Sequence, residues 1–342
     1  MKILAIETSC DETAVAIIEN GQDILCNLIS SQINTHKKYG GVVPEIASRM
    51  HTEKINILIE KALTETKLSF KDLDAIAVTY GPGLEGALLV GITAAKTLAQ
   101  TLQIPLIPTH HIAGHIYAHF LDPSPLPHTE EHKQPEFPFI ALVVSGGHTN
   151  LIKVKGHFDF EIIGHTLDDA AGELFDKAAR ALGLGYPGGP VIEEEAKSGN
   201  KKAFNFPRAM LKKGYNFSFS GLKTAVITTI RALEAEEKEI NTADISASLQ
   251  QTISDILVYK TIRACKEFDC KTIVICGGVS ANNAIKTTFA DETTKKGYQF
   301  FSCPKILCTD NAAMIGAAAY YNYQKFRTSN PYIRVNPNAK LC

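Results

Sequence analysis

The segment HHIAGHIYAH places four histidines, at 110, 111, 115 and 119, within ten residues. His111 and His115 stand four apart, which on a helix puts both imidazoles on one face, within reach of a single metal ion. An isolated H-x-x-x-H can equally be a polar helix face that happens to carry histidines. Ile112 follows His111, so the glutamate base of an H-E-x-x-H metalloprotease is missing. A third ligand is expected from the matching place in the second half of the chain. Asp310 lies there, in CTDNAAMIG, where the pattern puts it at the N-cap of the last helix. Two histidines and one carboxylate with open positions form a recognised catalytic metal set.

Other residues suggest handling of protons and phosphate. Asp11 and Glu12 occupy the first strand turn, where they could face a phosphate or a metal, or form an ordinary polar turn. Glycine turns occur at Gly81-Pro-Gly83, Ser145-Gly-Gly147, Gly188-Gly189 and Gly277-Gly278. One such turn means little, but several following strands in corresponding places point to backbone that approaches a nucleotide. No G-x-x-x-x-G-K-S/T occurs, which excludes a P-loop enzyme. Glu173 and Asp176 sit on one helix with Lys177 and Arg180; this is either a salt-bridged surface or, for Asp176, a contact to ribose hydroxyls. No Cys or Ser has the neighbouring His and acid of a nucleophile.

The elements that must position these groups read as a repeat. KILAIET, TAVAIIE and DILCNLIS are strands, followed by a helix from Pro44 to about Lys67 with apolar residues at Ile46, Met50, Ile55, Leu58, Ile59 and Leu63. DAIAVTY is a strand, Ala87 to Gln103 a helix, PLIPTH a strand and His110 to Phe120 a helix. After LDPSPLPHTEEHKQPEFP, with five prolines in eighteen residues, the order begins again with FIALVVSGG, NLIKVK and EIIGHT. Helices are expected at Asp168 to Leu182, from Asn282, and from Asp310 to about Phe326. The expected organisation is therefore a domain over residues 1–120, a linker at 121–138, a second domain over 139–326 interrupted at about 185–245, and a tail at 327–342. A duplicated α/β unit places its active site in the cleft between the copies.

Composition narrows the class. The chain has 342 residues, 45% hydrophobic and 21% charged, with net charge −1 and no Trp. That describes a folded protein of about two domains, without the overall positive charge that would bind nucleic acid everywhere. No apolar stretch approaches membrane-spanning length, and the N-terminus does not read as a secretion signal. Eight Cys without a C-x-x-C read as free thiols of a cytoplasmic protein.

IETSCDET, YGGVVPEIASRMH, GPGLEGALLVG, HHIAGH, VVSGGHT, DDAAGELFDKAARALGLGYPGGP, FSFSGLKTA, GGVSANN and CTDNAAMIG together resemble the successive motifs of the tRNA adenosine threonylcarbamoyltransferase family of bacterial type, once called the glycoprotease or O-sialoglycoprotein endopeptidase family. The resemblance runs from Met1 to about Tyr323. It implies the duplicated actin and sugar-kinase ATPase-type fold, ribonuclease H-like in each half. It also implies transfer of threonylcarbamoyl from threonylcarbamoyl-AMP to the exocyclic amine of the adenosine 3′ to the anticodon, in tRNAs reading codons that begin with A. By resemblance, His111, His115 and Asp310 would hold one divalent metal ion per subunit, iron in the usual assignment, with zinc and magnesium as alternatives. Val143, Val144, Ser145, Gly146, Gly147, Asp176, Gly189, Glu193 and Asn282 would contact the adenylate. Glu193 stands where the family often has Asp, and the linker is longer than usual. The implied partners are tRNA, a smaller paralogous subunit and a P-loop ATPase, with no membrane. A metallopeptidase, or an ATP-dependent small-molecule kinase of the same fold, are the alternatives.

Asp11 and Glu12 are the candidate catalytic acids for the amine proton. A basic stretch inside the insertion, with Lys201, Lys202, Arg208, Lys212, Lys213 and Lys223, is interleaved with Phe204, Phe206, Tyr215, Phe217 and Phe219. That pattern is either a face that clamps RNA backbone and stacks a base, or a lysine-rich loop over a buried aromatic cluster.

Overall fold

β1 (Lys2–Glu7) carries KILAIE, and every residue from Ile3 onward is buried, the charged Glu7 included. A run without a wet face belongs at the centre of a covered sheet, and β1 lies there. It pairs antiparallel with β2 (Glu12–Glu19) and parallel with β4 (Ala75–Gly81). β3 (Asp23–Ser31) extends the sheet beyond β2 and β5 (Leu106–His110) beyond β4, giving the order β3-β2-β1-β4-β5. The helices between are α1 (Ile33–His36), α2 (Pro44–Thr66), α3 (Glu85–Leu102) and α4 (His111–Tyr117). The computed structural model describes residues 1–124 and 132–342, so part of the proline-rich linker lies outside the described residues.

The second sheet repeats the plan. β6 (Phe139–Val144), β7 (Thr149–Gly156) and β8 (Asp159–His165) form the antiparallel arm. α5 (Ala171–Ala181), α6 (Gly188–Glu195), α7 (Ser220–Ala235) and α8 (Thr242–Glu267) follow, then β9 (Thr272–Cys276), α9 (Asn283–Lys296) and β10 (Gln299–Ser302). Its order, β10-β9-β6-β7-β8, is that of the first sheet read from the opposite edge. The repeat inferred from strand and helix order is thus a repeat of sheet topology. α10 (Lys305–Cys308) and α11 (Ala312–Phe326) complete the helices.

The compact units divide the chain differently from the 1–120 and 139–326 scheme. One comprises residues 1–135, 156–159 and 303–342; the other comprises 136–155 and 160–302. α11 and the tail therefore belong to the first unit. The reason is legible in AAMIGAAA: Ala312 to Ala319 are all buried, and α11 packs on α4, β1 and β2. Small residues permit the close approach. A Cβ at Gly114 of α4 would stand 2.8 Å from Ile315, and one at Gly316 would stand 2.7 Å from Ile18. The tail adds Ile333 to the first core, whose other members include Leu4, Ile6, Val15, Ile59 and Val78.

α2 departs from the expected periodicity in one instructive place. Its buried column at the N-terminal end is Ala47 and His51, with Ile46 and Met50 only half-buried. A histidine occupies a core position there because polar partners meet it, as shown below. All eight cysteines are free thiols; six are buried and Cys342 is exposed. No helix among the described residues is long and apolar enough to cross a membrane.

Candidate active site

The metal-type cluster is built entirely within the first unit, not shared between two halves as the repeat suggested. β5 runs directly into α4, and His110 at the junction caps the helix: its Nδ1 accepts the Ile112 N–H at 3.2 Å, and its Nε2 reaches Ala339 O at 3.2 Å. One turn of α4 brings the His111 and His115 rings edge to face, with centroids 4.7 Å apart. Asp310 is not the helix cap. Asn311, one residue on, accepts the Met314 N–H at 3.0 Å and caps α11. Asp310 Oδ1 instead lies 3.6 Å from His111 Nε2 and 3.3 Å from His115 Nε2. The three ligand atoms lie within 4.8 Å of one another.

These residues fit a metal ion. His115 is fully buried, yet neither ring nitrogen makes a hydrogen bond; Nε2 faces Asp310 Oδ1 at 3.3 Å. An unmet buried polar atom is costly, and a cation held between the imidazoles and the carboxylate would give Nε2 of His115 its partner. Imidazole and carboxylate donors suit iron or zinc. Burial pushes the His115 imidazole down, against the pull of Asp310, which favours the neutral ligating form. For His111 burial also opposes charge, but Asp310 and Glu7 outweigh it and push the imidazole up to about 9.

Glu7 is the residue that sequence reasoning missed. Its Oε1 accepts the Ser9 N–H at 2.5 Å, and its Oε2 accepts the Thr79 hydroxyl at 2.5 Å. Oε2 also lies 3.1 Å from His111 Nδ1, so Glu7 holds the ring whose Nε2 faces Asp310. Burial works to raise its carboxyl, but His111 outweighs that and holds it below the usual range. The available signal was a carboxylate closing an otherwise apolar central strand.

Asp11 ends the turn between β1 and β2, and Glu12 is the first residue of β2, paired with Ser31 of β3. Glu12 Oε1 accepts the Ser31 hydroxyl at 3.1 Å. Burial, then the Asp11 and Asp310 carboxylates, push Glu12 up to about 9. Burial and Asp11 likewise push the Cys10 thiol well up, away from the thiolate form.

The expected adenylate residues all lie in the second unit. Val143 and Val144 are fully buried in β6, so any contact from them is through backbone. Ser145, Gly146 and Gly147 turn the chain beside the start of α5, where Gly172 N–H bonds Ser145 O at 3.2 Å. Asp176 Oδ1 accepts the Gly188 N–H at 2.7 Å and so fixes the start of α6. Glu193 Oε1 accepts from the Asn283 backbone at 2.7 Å and its amide at 2.9 Å, tying α6 to α9. Asn282 caps α9 through Ile285 N–H and donates to Gln250 at 2.7 Å.

The glycine turns separate into two kinds. A Cβ at Gly277 would meet Val144 O at 2.5 Å, whereas one at Gly147, Gly189 or Gly278 would meet nothing within 4 Å. The Gly81-Pro-Gly83 turn is filled by the chain itself: Gly83 N–H bonds Pro337 O at 3.2 Å, and a Cβ at Gly83 would strike Ser9. It is therefore no phosphate cradle, which corrects the equal reading of all four turns.

The insertion corrects the base-stacking expectation too. Phe206, Phe217 and Phe219 are buried, and Phe204 and Tyr215 pack against the same core. Arg208 is paired with Asp255 at 2.7 Å and Lys223 with Asp169 at 2.7 Å. Lys201, Lys202, Lys212 and Lys213 remain exposed.

The geometry has relatives. Solved structures share the fold at low identity: component A of the Acidaminococcus fermentans (R)-2-hydroxyglutaryl-CoA dehydratase (TM-score 0.53, 13% identity, 96% of this chain and 100% of that one), and full-length HypF (TM-score 0.61, 14% identity, 96% of this chain and 47% of that one). They bear out the duplicated actin and sugar-kinase type of α/β fold. Proteins named tRNA N6-adenosine threonylcarbamoyltransferase match far more closely: 52% identity over 340 residues in Clostridium beijerinckii, covering 99% of this chain and 98% of that protein, and 48% over 339 residues in Clostridioides difficile, with the same two shares. The profile of that family, TsaD, matches residues 23–317. With most of its length matched by that profile and nearly all of it aligned to such relatives, this chain belongs to the tRNA N6-adenosine threonylcarbamoyltransferase family, and it is an acyltransferase of that family.

Proposed function

We propose that the protein transfers threonylcarbamoyl from threonylcarbamoyl-AMP to N6 of the adenosine 3′ to the anticodon, in tRNAs that read codons beginning with A. The full-length match to transferases of that name carries this reading. The amine nitrogen forms a bond to the carbamoyl carbon, the bond from that carbon to the phosphate oxygen breaks, and AMP leaves. The amine proton must go to a base. Asp11 and Glu12 are the carboxyl groups we assign to that transfer. The open turn Ser145–Gly147 beside the N-terminus of α5 would receive the AMP phosphate, where backbone N–H groups and the helix dipole favour negative charge. Asp176, Gly189, Glu193 and Asn282 would orient the nucleoside, Glu193 and Asn282 partly by fixing α6 and α9.

His111, His115 and Asp310 would hold one divalent metal ion, Fe2+ by the family resemblance. When bound it supplies a fixed positive charge for the developing negative charge of acyl transfer. Glu7 would keep His111 turned toward it. The absent glutamate of H-E-x-x-H leaves a peptidase without its base. The setting we infer is the cytoplasm, with a smaller paralogous subunit and a P-loop ATPase completing the activity.

The test is direct. The metal-loaded protein, with its partners, is incubated with unmodified tRNA, threonine, bicarbonate, ATP and the adenylate-forming enzyme, and tRNA nucleosides are analysed by mass spectrometry. Threonylcarbamoyladenosine next to the anticodon is expected. Its absence when preformed threonylcarbamoyl-AMP is supplied would remove the proposal.

A further inference from the structure

Three buried polar side chains stand next to the acidic turn without a part in the chemistry so far. Gln32, His36 and His51 are each at most 1% exposed. Burying such groups is costly unless each donor and acceptor is met. Here backbone groups at the ends of the network fix its direction. His51 Nε2 lies 3.0 Å from Cys10 O, an acceptor, so Nε2 carries the proton. Nδ1 must then accept, and the Thr13 hydroxyl donates to it at 2.8 Å, with the Gln32 amide at 3.4 Å. That amide also donates to Ala47 O at 3.3 Å, which orients the Gln32 carbonyl toward His36 Nε2–H at 3.0 Å. His36 Nδ1 finally accepts the Val43 N–H at 3.3 Å. Every member is consistent with one neutral tautomer at each histidine, and burial pushes His51 away from protonation.

The network ends on the residues that flank the acids and on the Asp11 backbone. His51 holds Cys10 O and Thr13, the residues on either side of Asp11 and Glu12, while the Gln32 backbone N–H holds Asp11 O at 3.0 Å. Glu12 and Thr13 are paired with Ser31 and Ser30 of β3, so the sheet holds one side of this segment, and the buried network holds the other at Cys10 O and Asp11 O. We propose that His51 is a positioning residue for the transfer reaction: with Gln32 and His36 it clamps the segment from Cys10 to Thr13, where the turn enters β2, so that Asp11 and Glu12 keep the orientation the reaction needs. This rests on the assignment of Asp11 and Glu12 to the amine proton.

The test uses the full chain with metal and partners, preformed threonylcarbamoyl-AMP and tRNA. His51→Phe keeps a ring and removes both hydrogen bonds; His51→Gln can restore the donor to Cys10 O. For His51→Phe, kcat should fall by about 10–100-fold, the scale of a misplaced reacting group, with KM for both substrates and metal content unchanged. His51→Gln should recover most of the loss. The double variant His51→Phe/Glu12→Gln should be no slower than Glu12→Gln alone, because groups that act as one unit are non-additive. Losses that multiply in the double variant, or a Gln variant as poor as Phe, would overturn the proposal and leave His51 a packing residue. If His51→Phe does not fold, Thr13→Val carries the same cycle. Full kcat in both Asp11→Asn and Glu12→Gln would instead sink the underlying assignment, whatever His51 does.

Discussion

The corner around His111 in the first unit and the glycine turns of the second are built on opposite principles. The first concentrates titratable side chains in a dry place: Glu7 and His115 are fully buried, and Glu12 is pushed up to about 9. The second offers backbone and open space, with no atom within 4 Å of a Cβ at Gly147, Gly189 or Gly278. Its carboxylates, Asp176 and Glu193, already hold helix ends. The difference teaches where each kind of ligand belongs. Two buried imidazoles 3.3–3.6 Å from one half-buried carboxylate call for a cation, while open glycine backbone beside a helix start suits an anion.

The sharpest way to break this contrast is at the cluster. His111→Ala, His115→Ala and Asp310→Ala should each empty the site by elemental analysis and lower kcat on the order of 10²–10³-fold, the size of losing one preorganised electrostatic contact. Circular dichroism should show the fold retained. Full metal occupancy in any of the three would remove that residue as a ligand. Glu7→Gln, which weakens the hold on His111, should cost about 10–100-fold in metal affinity.

A second, smaller effect sharpens the other side. Gly147→Val and Gly278→Val should leave the melting temperature nearly unchanged, since nothing lies within 4 Å of an added Cβ. Both should weaken adenylate binding by about tenfold, roughly 1.4 kcal/mol, in calorimetry. Gly277→Val should do the reverse and destabilise the fold first, because its φ is +89° and Val144 O is in the way. Unaltered adenylate affinity in the Gly147 variant would place the phosphate elsewhere.

Charge reversal at Lys212 and Lys213 should act more weakly still. The loop's shape is set from below: Lys260 Nζ donates to Met210 O, Lys213 O and Gly214 O at 2.7–3.2 Å, and Arg263 donates to Lys212 O at 3.1 Å. The exposed side chains can therefore change without moving the backbone. Binding of tRNA by the partnered enzyme should weaken severalfold, with a salt slope flatter by about 1–2, and adenylate affinity should not move. An unchanged slope would place the RNA on another face.

The last effect is one of pH, and it is read in stability and not in activity. The Glu12 carboxyl rises in the folded protein from an ordinary 4.5 to about 9, chiefly through burial and the neighbouring Asp11. The folded state thus keeps a proton that the unfolded chain has released across that window. Its contribution to stability is complete below pH 4.5 and is lost as pH rises toward 9. Metal-free Glu12→Gln cannot ionise there, so it should melt higher than the parent at pH 8 and not at pH 4. Equal melting shifts at both values would show that Glu12 is solvated.

Much of the fold was legible because strand and helix periods are local. KILAIE, AIAVTYG and FIALVV announce central strands, and the order of elements announced the repeat that the two sheets share. The His111–His115 pair was legible for the same reason, since four residues on one helix are neighbours in any fold. Glu7 was not, because its role depends on Thr79 and His111, which the sheet brings to it from 72 and 104 residues away. Aromatics between lysines at 201–219 looked like a stacking surface, yet only packing against α8 and its neighbours decides which side of that loop is wet.

What this sequence determined by itself is the set of groups and their local geometry: the histidine pair, the acidic turn, the open glycines and a family pattern dense enough to name. What only the tertiary structure decided is which of them meet. Asp310 lies almost two hundred residues from His115, and a helix of small residues, packed on the first sheet, carries it there. Local preferences set the elements, but long-range packing alone chooses the burial that shifts each charge and the neighbour that meets it.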